Sequence, residues 1–301
     1  MGNRHTIYAV NTSGGLIDGC RSNEIDEAIT TIVEGTDGKV DPEFAAIMNA
    51  EPNIGFETRA IATGLGIAGI SGLGYTSALT AYLQALTQGG TRAGTGSHFT
   101  VASAAGLLIP RTLTAQQNSP AMLSLMAYCR SSDGLTHPWT ITGAQDLGGS
   151  PVTDELFTLG PCNLAGSLLT EIVDVSVDFG ITITSDPSTN GLPYPTFYAI
   201  LERKPTIRIR TKDGDALDDF GPGGLAIDAS VDIYFRKIAE GGTRIANATA
   251  SHIKISVDEG IIHVGTWTGE HAESGGVEIN IVPTYDGTNA ILAISTGSAI
   301  T

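Results

Sequence analysis

The second half of the chain repeats the first half at a nearly constant spacing. Pro42-Glu-Phe-Ala-Ala-Ile-Met-Asn-Ala-Glu-Pro52 aligns with Pro195-Thr-Phe-Tyr-Ala-Ile-Leu-Glu-Arg-Lys-Pro205, 153 residues later. A second block, Ala81-Tyr-Leu-Gln-Ala-Leu-Thr-Gln-Gly-Gly-Thr-Arg92, aligns with Ile233-Tyr-Phe-Arg-Lys-Ile-Ala-Glu-Gly-Gly-Thr-Arg244 at a spacing of 152. A chain that repeats itself over such a length is expected to fold as two similar domains.

Shorter matches follow in the same order. Ser97-His98 aligns with Ser251-His252, and Asp133-Gly134 aligns with Asp286-Gly287, so that the spacing stays between 152 and 154 residues. Chance would rarely produce several blocks in one order at one spacing. The sequence therefore predicts a tandem duplication with copies at about 42–142 and 195–295, in domains 1–150 and 151–301.

Apolar residues in the second block follow a helical period. Four apolar or aromatic positions spaced i, i+3, i+4, i+7 occur in each copy: Leu79, Tyr82, Leu83 and Leu86, and Val231, Tyr234, Phe235 and Ile238. This spacing predicts an amphipathic helix of about three turns in each domain. The following Gly-Gly is expected to end each helix, because glycine adopts the left-handed conformation without strain.

Other segments alternate with the period of a β-strand. Apolar residues occur at every second position from Val173 to Ile183 and again from Val277 to Ile281. Asp286-Gly287 is a turn signal that would join Val277–Val282 to Ile291–Ile294, and the Gly- and Pro-rich segment 143–166 is expected to connect the domains. The predicted fold is mainly β: a β-sandwich or curled antiparallel sheet plus one helix in each domain.

The charge balance limits what the chain can bind. The formal net charge is −16, and charged residues make up only 16% of the sequence. A protein that grips nucleic acid needs Lys and Arg to displace phosphate counterions, so this class is disfavoured. The low charge content fits either a glycine-rich β protein or a surface that is largely buried between subunits. The three cysteines have no metal-ligand spacing, and no apolar run is long enough to span a membrane.

Gly64-Leu-Gly66-Ile-Ala-Gly69 is a literal Gly-x-Gly-x-x-Gly. A dinucleotide site also needs a helix that begins at the glycines and an acidic residue about 20 positions further on, and neither is predicted here. We interpret the Gly-x-Gly-x-x-Gly segment as part of a flexible connecting or contact loop, Arg59–Tyr75. No cofactor is expected.

Four aspartates of the loop Lys212–Ile227 offer oxygen ligands for calcium: Asp213, Asp215, Asp218 and Asp219. The order of residues in an EF-hand is missing, so a solvated or partner-facing loop is the favoured interpretation, and no metal is expected. His98 and His252 occupy equivalent positions at strand starts, which favours a structural role. Because no nucleophile, base and carboxylate come together, we do not expect an enzyme.

A basic strip runs from Arg203 to Lys212. Arg208 and Arg210 are expected on one strand face, opposite Ile207 and Ile209. No aromatic residues interleave with the strip, so we interpret it as a subunit contact rather than a nucleic-acid groove.

The chain resembles the phage tail tube protein family over nearly its whole length, once in each half. The likeness lies in the plan of strands, a long loop, one amphipathic helix after it and then Gly-Gly-Thr-Arg. It also lies in the ending Pro283-Thr-Tyr-Asp-Gly-Thr-Asn-Ala-Ile-Leu-Ala-Ile-Ser, which is similar to the family's terminal hairpin. The resemblance implies a virion protein of the tail, assembled in the host cytoplasm into stacked homo-oligomeric rings. It also implies contact with other tail proteins and a lumen through which DNA passes without specific binding. A duplicated chain implies a ring of three chains with sixfold pseudosymmetry.

The two long loops are then the candidates for ring-to-ring contact. The residues predicted for contacts between subunits or rings are Gly64, Leu65, Ile67, Leu73, Asp213, Asp215, Asp218, Asp219, Arg208 and Arg210. Two alternatives remain open: a glycan-binding or adhesin-type surface protein, which should expose aromatic platforms, and a hydrolase with a cleft between two lobes.

Overall fold

The computed structural model describes residues 4–35, 37, 40–147, 156–164, 166–169, 171–186, 191–214, 223–270 and 273–301. The fold is mainly β, as the sequence predicts, and consists of several antiparallel sheets. In the described residues, strands β1–β12 and the helix α1 precede residue 148, and strands β13–β24 follow residue 155.

The elements of the first half are β1 Arg4–Thr12, β2 Gly15–Ile17, β3 Cys20–Asp26, β4 Ile29–Glu34, β5 Phe44–Ala50, β6 Asn53–Thr58, α1 Ile61–Ala68, β7 Leu73–Tyr75, β8 Leu79–Leu86, β9 His98–Ser103, β10 Gly106–Gln116, β11 Met122–Cys129 and β12 Trp139–Gln145. Those of the second half are β13 Leu156–Leu164, β14 Ser167–Leu169, β15 Ile172–Asp178, β16 Ile181–Asp186, β17 Phe197–Arg203, β18 Thr206–Thr211, β19 Leu225–Ala226, β20 Val231–Ile238, β21 His252–Val257, β22 Gly260–Glu270, β23 Glu273–Pro283 and β24 Ala293–Ser298.

The strands form one large sheet, two smaller sheets and two hairpins. The large sheet has ten strands, in the order β19-β22-β23-β18-β15-β10-β11-β6-β3, with β7 pairing beside β10. Each half adds one five-stranded sheet, β12-β9-β8-β1-β2 or β14-β13-β20-β21-β24. The pairs β4–β5 and β16–β17 form separate hairpins.

The same pairing scheme occurs in both halves. In the first half β3 pairs with β6, β6 with β11, β11 with β10 and β10 with β7. In the second half β15 pairs with β18, β18 with β23, β23 with β22 and β22 with β19. The five-stranded sheets and the hairpins correspond in the same way. The irregularity in β4–β5, after Thr30, has its counterpart in β16–β17, after Thr182.

The two histidines at the strand starts also make the same bond. Nδ1 of His98 accepts a hydrogen bond from the amide of Ala85 at 3.0 Å, and Nδ1 of His252 accepts one from the amide of Lys237 at 3.0 Å. Both rings are buried. Each histidine satisfies a main-chain donor inside its half, which is a structural role.

One hydrophobic core runs through both halves. It joins residues of the five-stranded sheets, such as Leu79 and Phe235, to residues on the inner face of the large sheet, such as Ile54, Val175 and Ile279. Each half is thus a sandwich of a five-stranded sheet and its part of the ten-stranded sheet.

The helices predicted at Leu79–Leu86 and Val231–Ile238 are wrong, because these segments are the strands β8 and β20. Each lies between two antiparallel neighbours in the middle of a five-stranded sheet. The buried positions alternate as Leu79, Ala81 and Ala85 in β8, and the helical spacing overlooked the small alanines. Gly89-Gly90 and Gly241-Gly242 turn the chain after a strand rather than after a helix.

The helix instead lies in the segment Arg59–Tyr75, which we expected to be a flexible loop. Residues Ile61–Ala68 form α1, and Gly64 within it is buried. Asp286-Gly287 does form a turn, but it joins strands of different sheets, because β24 pairs with β21. The expected terminal hairpin is therefore absent from the described residues. The predicted connection 143–166 contains the end of β12 and the whole of β13, whose residues pair with β20.

Candidate subunit interface

One strand pairing joins the two halves within the large sheet. Thr112–Gln116 of β10 pair with Asp174–Asp178 of β15 in antiparallel register. The ladder continues on both sides, since the amide of Gln117 donates to the carbonyl of Val173 at 2.8 Å and the amide of Phe179 donates to the carbonyl of Arg111 at 3.0 Å. Leu113 and Val177, which face each other across this seam, are both fully buried.

The counterparts of these two strands lie near opposite ends of the same sheet. The counterpart of β10 is β22, and the counterpart of β15 is β3. In the described part of the chain, β3 pairs only with β6, and β22 pairs on its outer side with β19 only at Ile261 and Ile262. The stretch of β22 around Thr266 and the outer edge of β3 therefore present unpaired main-chain groups, the usual site for adding another strand.

Side-chain exposure differs between the seam and its counterparts. Trp267 pairs with Val277 of β23 as Leu113 pairs with Leu123 of β11, so Trp267 takes the position of Leu113. The side chain of Trp267 is 72% exposed. Ile25 takes the position of Val177 and is half-buried. A large apolar side chain at an open strand edge is typical of a surface that another strand covers.

The outer face of the large sheet is polar where no hairpin covers it. Its exposed or half-buried side chains are Ser22, Glu24, Glu57, Thr114, Gln116, Ser124, Ser176, Arg208, Arg210 and Glu278. On β18, exposed Arg208 and Arg210 alternate with buried Ile207 and Ile209, as the sequence predicts.

Carboxylates of the neighbouring strands neutralise the two arginines. Asp174 contacts Nε of Arg210 at 3.1 Å and Nη2 of Arg208 at 3.7 Å, while Glu278 lies 3.5 Å from Nη1 of Arg208. Two cations and two anions therefore cancel on this part of the face. The corresponding region of the outer face in the first half carries Glu57 on β6. Its carboxylate accepts a hydrogen bond from the hydroxyl of Ser22 at 2.8 Å.

The hairpin β16–β17, which we call the second hairpin, lies over the outer face of β10–β11. Tyr198 is buried there against Leu107 and Ile109. Its ring centroid is 5.5 Å from that of Tyr128. Both hairpins expose apolar side chains on one side, namely Phe197 and Leu201 in the second hairpin and Phe44 and Met48 in the hairpin β4–β5, which we call the first hairpin. The first hairpin also exposes Ile29, Val33 and Ile47.

The residues predicted to form subunit or ring contacts differ in how deeply they are buried. Gly64 and Leu65 are buried in the core of their own chain, so they leave no side-chain surface for a neighbour. Ile67 and Leu73 are half-buried, and so is Asp213. Asp215, Asp218 and Asp219 lie outside the described residues.

The three cysteine thiols are largely buried, which disfavours their ionised form. Burial raises the pKa of the Cys20 thiol to about 12, and burial also raises the pKa of the Cys129 and Cys162 thiols. Among the described residues, no three His, Cys, Asp or Glu side chains cluster as metal ligands would.

A surface cleft of about 470 Å³ lies where the halves meet. Ile70 and Ser71 line one side, and Ile200, Arg203 and Tyr285 are among the residues that line the rest. Arg203 donates to the carbonyl of Ser71 at 3.2 Å. This hydrogen bond connects the second hairpin to the segment that follows α1.

Sequence reasoning missed the residues at the open edges. The sequence patterns single out none of Trp267, Ile25, Ile47 and Ile261. The internal alignment contained the signal, because Thr266 and Thr268 flank Trp267 as Thr112 and Thr114 flank Leu113.

No known family model matches the chain, and no curated protein is significantly similar to it. Within the described residues, no helix has the length and apolar character that a membrane crossing requires.

Proposed function

We propose that this protein is a structural virion protein, the subunit of a phage tail tube, whose chains close into stacked rings around a channel for DNA. The halves are inferred to derive from duplication of one tube-like domain. The observation that carries the proposal is the seam β10–β15, because its two counterparts, β22 and β3, are left open at opposite ends of one sheet.

A contact between two different edges is heterologous, and repeating it produces either a closed ring or an open helix. Pairing β22 of one chain with β3 of the next would repeat the internal seam and place Thr266 opposite Asp26 and Trp267 opposite Ile25. Each added chain would extend the large sheet and cover both edges. Ring closure would leave none of these edges exposed to solvent. Three chains would supply six domain-sized segments, in agreement with the resemblance to a duplicated tube protein.

The polar face of the large sheet would line the channel. Arg208 and Arg210 on this face are paired with Asp174 and Glu278, and Glu24 and Glu57 add negative charge. Such a wall offers DNA no unpaired cations among these residues and repels its phosphates. DNA would therefore pass without specific binding.

Substitution of Trp267 tests the strand pairing between chains. Trp267→Glu should prevent ring formation while leaving the chain folded, because the side chain is 72% exposed and a carboxylate cannot be buried at a seam without a large desolvation cost. The matched control is Ile141→Glu, since Ile141 is 63% exposed on β12 of a five-stranded sheet and belongs to neither open edge of the large sheet.

Light scattering after gel filtration and negative-stain microscopy give the readout. We expect rings or tubes from the unaltered protein and the control, and monomers from Trp267→Glu. A protein that stays monomeric at every concentration tested would contradict the proposed function.

A further inference from the structure

We infer that the first hairpin docks in trans, on the outer face of β22–β23 in the next copy of the same chain. This inference rests on the proposed ring and adds a second contact to it. The argument begins with the second hairpin, whose docking within the chain is described above.

The second hairpin covers four side chains of β10–β11. Leu107 and Ile109 are buried beneath it, while Met126 and Tyr128 are partly buried. It contributes Tyr198 to this contact together with partly buried Ile181, Ile183 and Ile200. A main-chain bond also holds the connection between its two strands, since the amide of Ser131 donates to the carbonyl of Pro195 at 2.9 Å.

The strand registers identify the counterparts of this docking site. Leu107 pairs with Tyr128 next to the pair Gly106 and Cys129, and Ile261 pairs with Val282 next to the pair Gly260 and Pro283. Ile261 and Val282 therefore correspond to Leu107 and Tyr128. They are 51% and 39% exposed, whereas Leu107 is 8% exposed.

The hairpin registers identify the counterparts of the docked side chains. Ile183 pairs with Ile200, and Thr31 pairs with Ile47 at the equivalent position after the irregularity. Ile47 thus corresponds to Ile200, Ile29 to Ile181 and Ala45 to Tyr198. Ile29 and Ile47 are 46% and 52% exposed.

The exposed apolar residues of the first hairpin and of β22–β23 are counterparts of residues that contact each other between the second hairpin and β10–β11, but they lie in opposite halves of the chain. Polar His263 and Asn280 take the positions of Ile109 and Met126 on the open face. Among the described strands, β4 and β5 of the first hairpin pair only with each other. Strand pairing within the chain therefore does not hold the first hairpin against another sheet. If β22 of one chain pairs with β3 of the next as β10 pairs with β15, the hairpin that follows β3 arrives over β22–β23, as β16–β17 arrives over β10–β11. The occupant of the open face is therefore a second copy of this chain.

Chemical crosslinking of assembled rings tests the inference. Ala45→Cys and Val282→Cys are introduced together with Cys20→Ser, which removes the only native cysteine that is not buried. Ala45 and Val282 are exposed in the single chain, so neither change disturbs the core. A short bismaleimide is added to rings that microscopy has verified.

The matched control pairs Ala46→Cys with Val282→Cys, because Ala46 follows Ala45 on the same strand and points to the opposite side of the hairpin. We expect covalent dimers and trimers to form at least about tenfold faster with Ala45 than with Ala46, since docking raises the effective concentration of the two thiols.

Intact rings that crosslink equally slowly with both pairs would overturn the inference and leave the proposed ring standing. Crosslinks that form only within one chain would overturn it as well. Failure of every variant and of the unaltered protein to form rings would instead contradict the proposed function, and the inference with it.

Discussion

Two glycines of α1 differ in what surrounds them. A Cβ atom added at Gly64 would lie 2.7 Å from Cδ2 of Leu123 and 3.4 Å from Cδ1 of Leu125, both fully buried residues. A Cβ atom added at Gly66 would meet nothing within 4 Å. Gly64 therefore permits close packing of the helix on the large sheet, and Gly66 has no such role.

This difference predicts opposite effects of the same substitution. Gly66→Ala should raise the free energy of unfolding by about 0.5–1 kcal/mol, because alanine loses less backbone entropy in a helix than glycine. The free energy of unfolding of Gly64→Ala should be about 1–3 kcal/mol lower than that of Gly66→Ala, because the added methyl group overpacks the core. Urea unfolding of the two variants, with assembly prevented by Trp267→Glu, gives the measurement. Equal stability of the two variants would contradict the packing role of Gly64.

At the scale of elements, burial of Tyr198 between the second hairpin and β10–β11 should stabilise the contact between the two halves. Tyr198 is 8% exposed, and burial raises the pKa of its hydroxyl, which has no hydrogen-bond partner. Tyr198→Ala should lower the free energy of unfolding by about 3 kcal/mol, as the loss of a buried aromatic ring typically does.

The matched variant is Tyr198→Phe, which keeps the ring and removes the unpartnered hydroxyl. Its stability should lie within about 1 kcal/mol of the unaltered protein or slightly above it, because a buried donor without a partner contributes no stability. Thermal and urea unfolding distinguish the two. A phenylalanine variant as unstable as the alanine variant would show that the hydroxyl, and not the ring, holds the hairpin.

The elements also show which parts of the fold the sequence could reveal. Alternation of apolar residues correctly indicated the inner face of β15, and the Arg208 and Arg210 face of β18. It failed for β8, where Ala81 and Ala85 occupy the buried face and the larger residues happen to follow a helical spacing. The helix α1 was missed because glycine disfavours helices locally, and only the close approach of Leu123 explains Gly64.

Other features of the fold depend on contacts between distant parts of the chain, which the sequence pattern does not reveal. The alternation from Val173 to Ile183 spans two strands, because Gly180 turns the chain between β15 and β16 at a φ of 57°. A Cβ atom there would overlap the carbonyl of Lys204. The sequence repeat aligned the halves, but the open edges β3 and β22 are visible only once strand order is known.

At the scale of the whole molecule, the pairing of charges on the polar face determines how DNA would interact with the wall. Arg208 and Arg210 each contact Asp174, which is largely buried, and Arg208 also contacts Glu278. Removing both carboxylates leaves two guanidinium groups without their partners. Glu24 and Glu57 lie exposed on the same face in the first half, where Glu57 accepts a hydrogen bond from the hydroxyl of Ser22.

The double variant Asp174→Asn/Glu278→Gln should bind double-stranded DNA at low salt, and its affinity should fall as salt rises, because unpaired arginines release counterions from phosphate. The double variant Glu24→Gln/Glu57→Gln changes the net charge by the same amount without freeing an arginine, so we expect little binding. Fluorescence anisotropy of a labelled duplex across a salt series compares the two with the unaltered protein. Equal binding by both variants would show that overall charge, rather than the local ion pairs, keeps DNA from the wall. Binding by the unaltered protein would contradict a channel through which DNA slides freely.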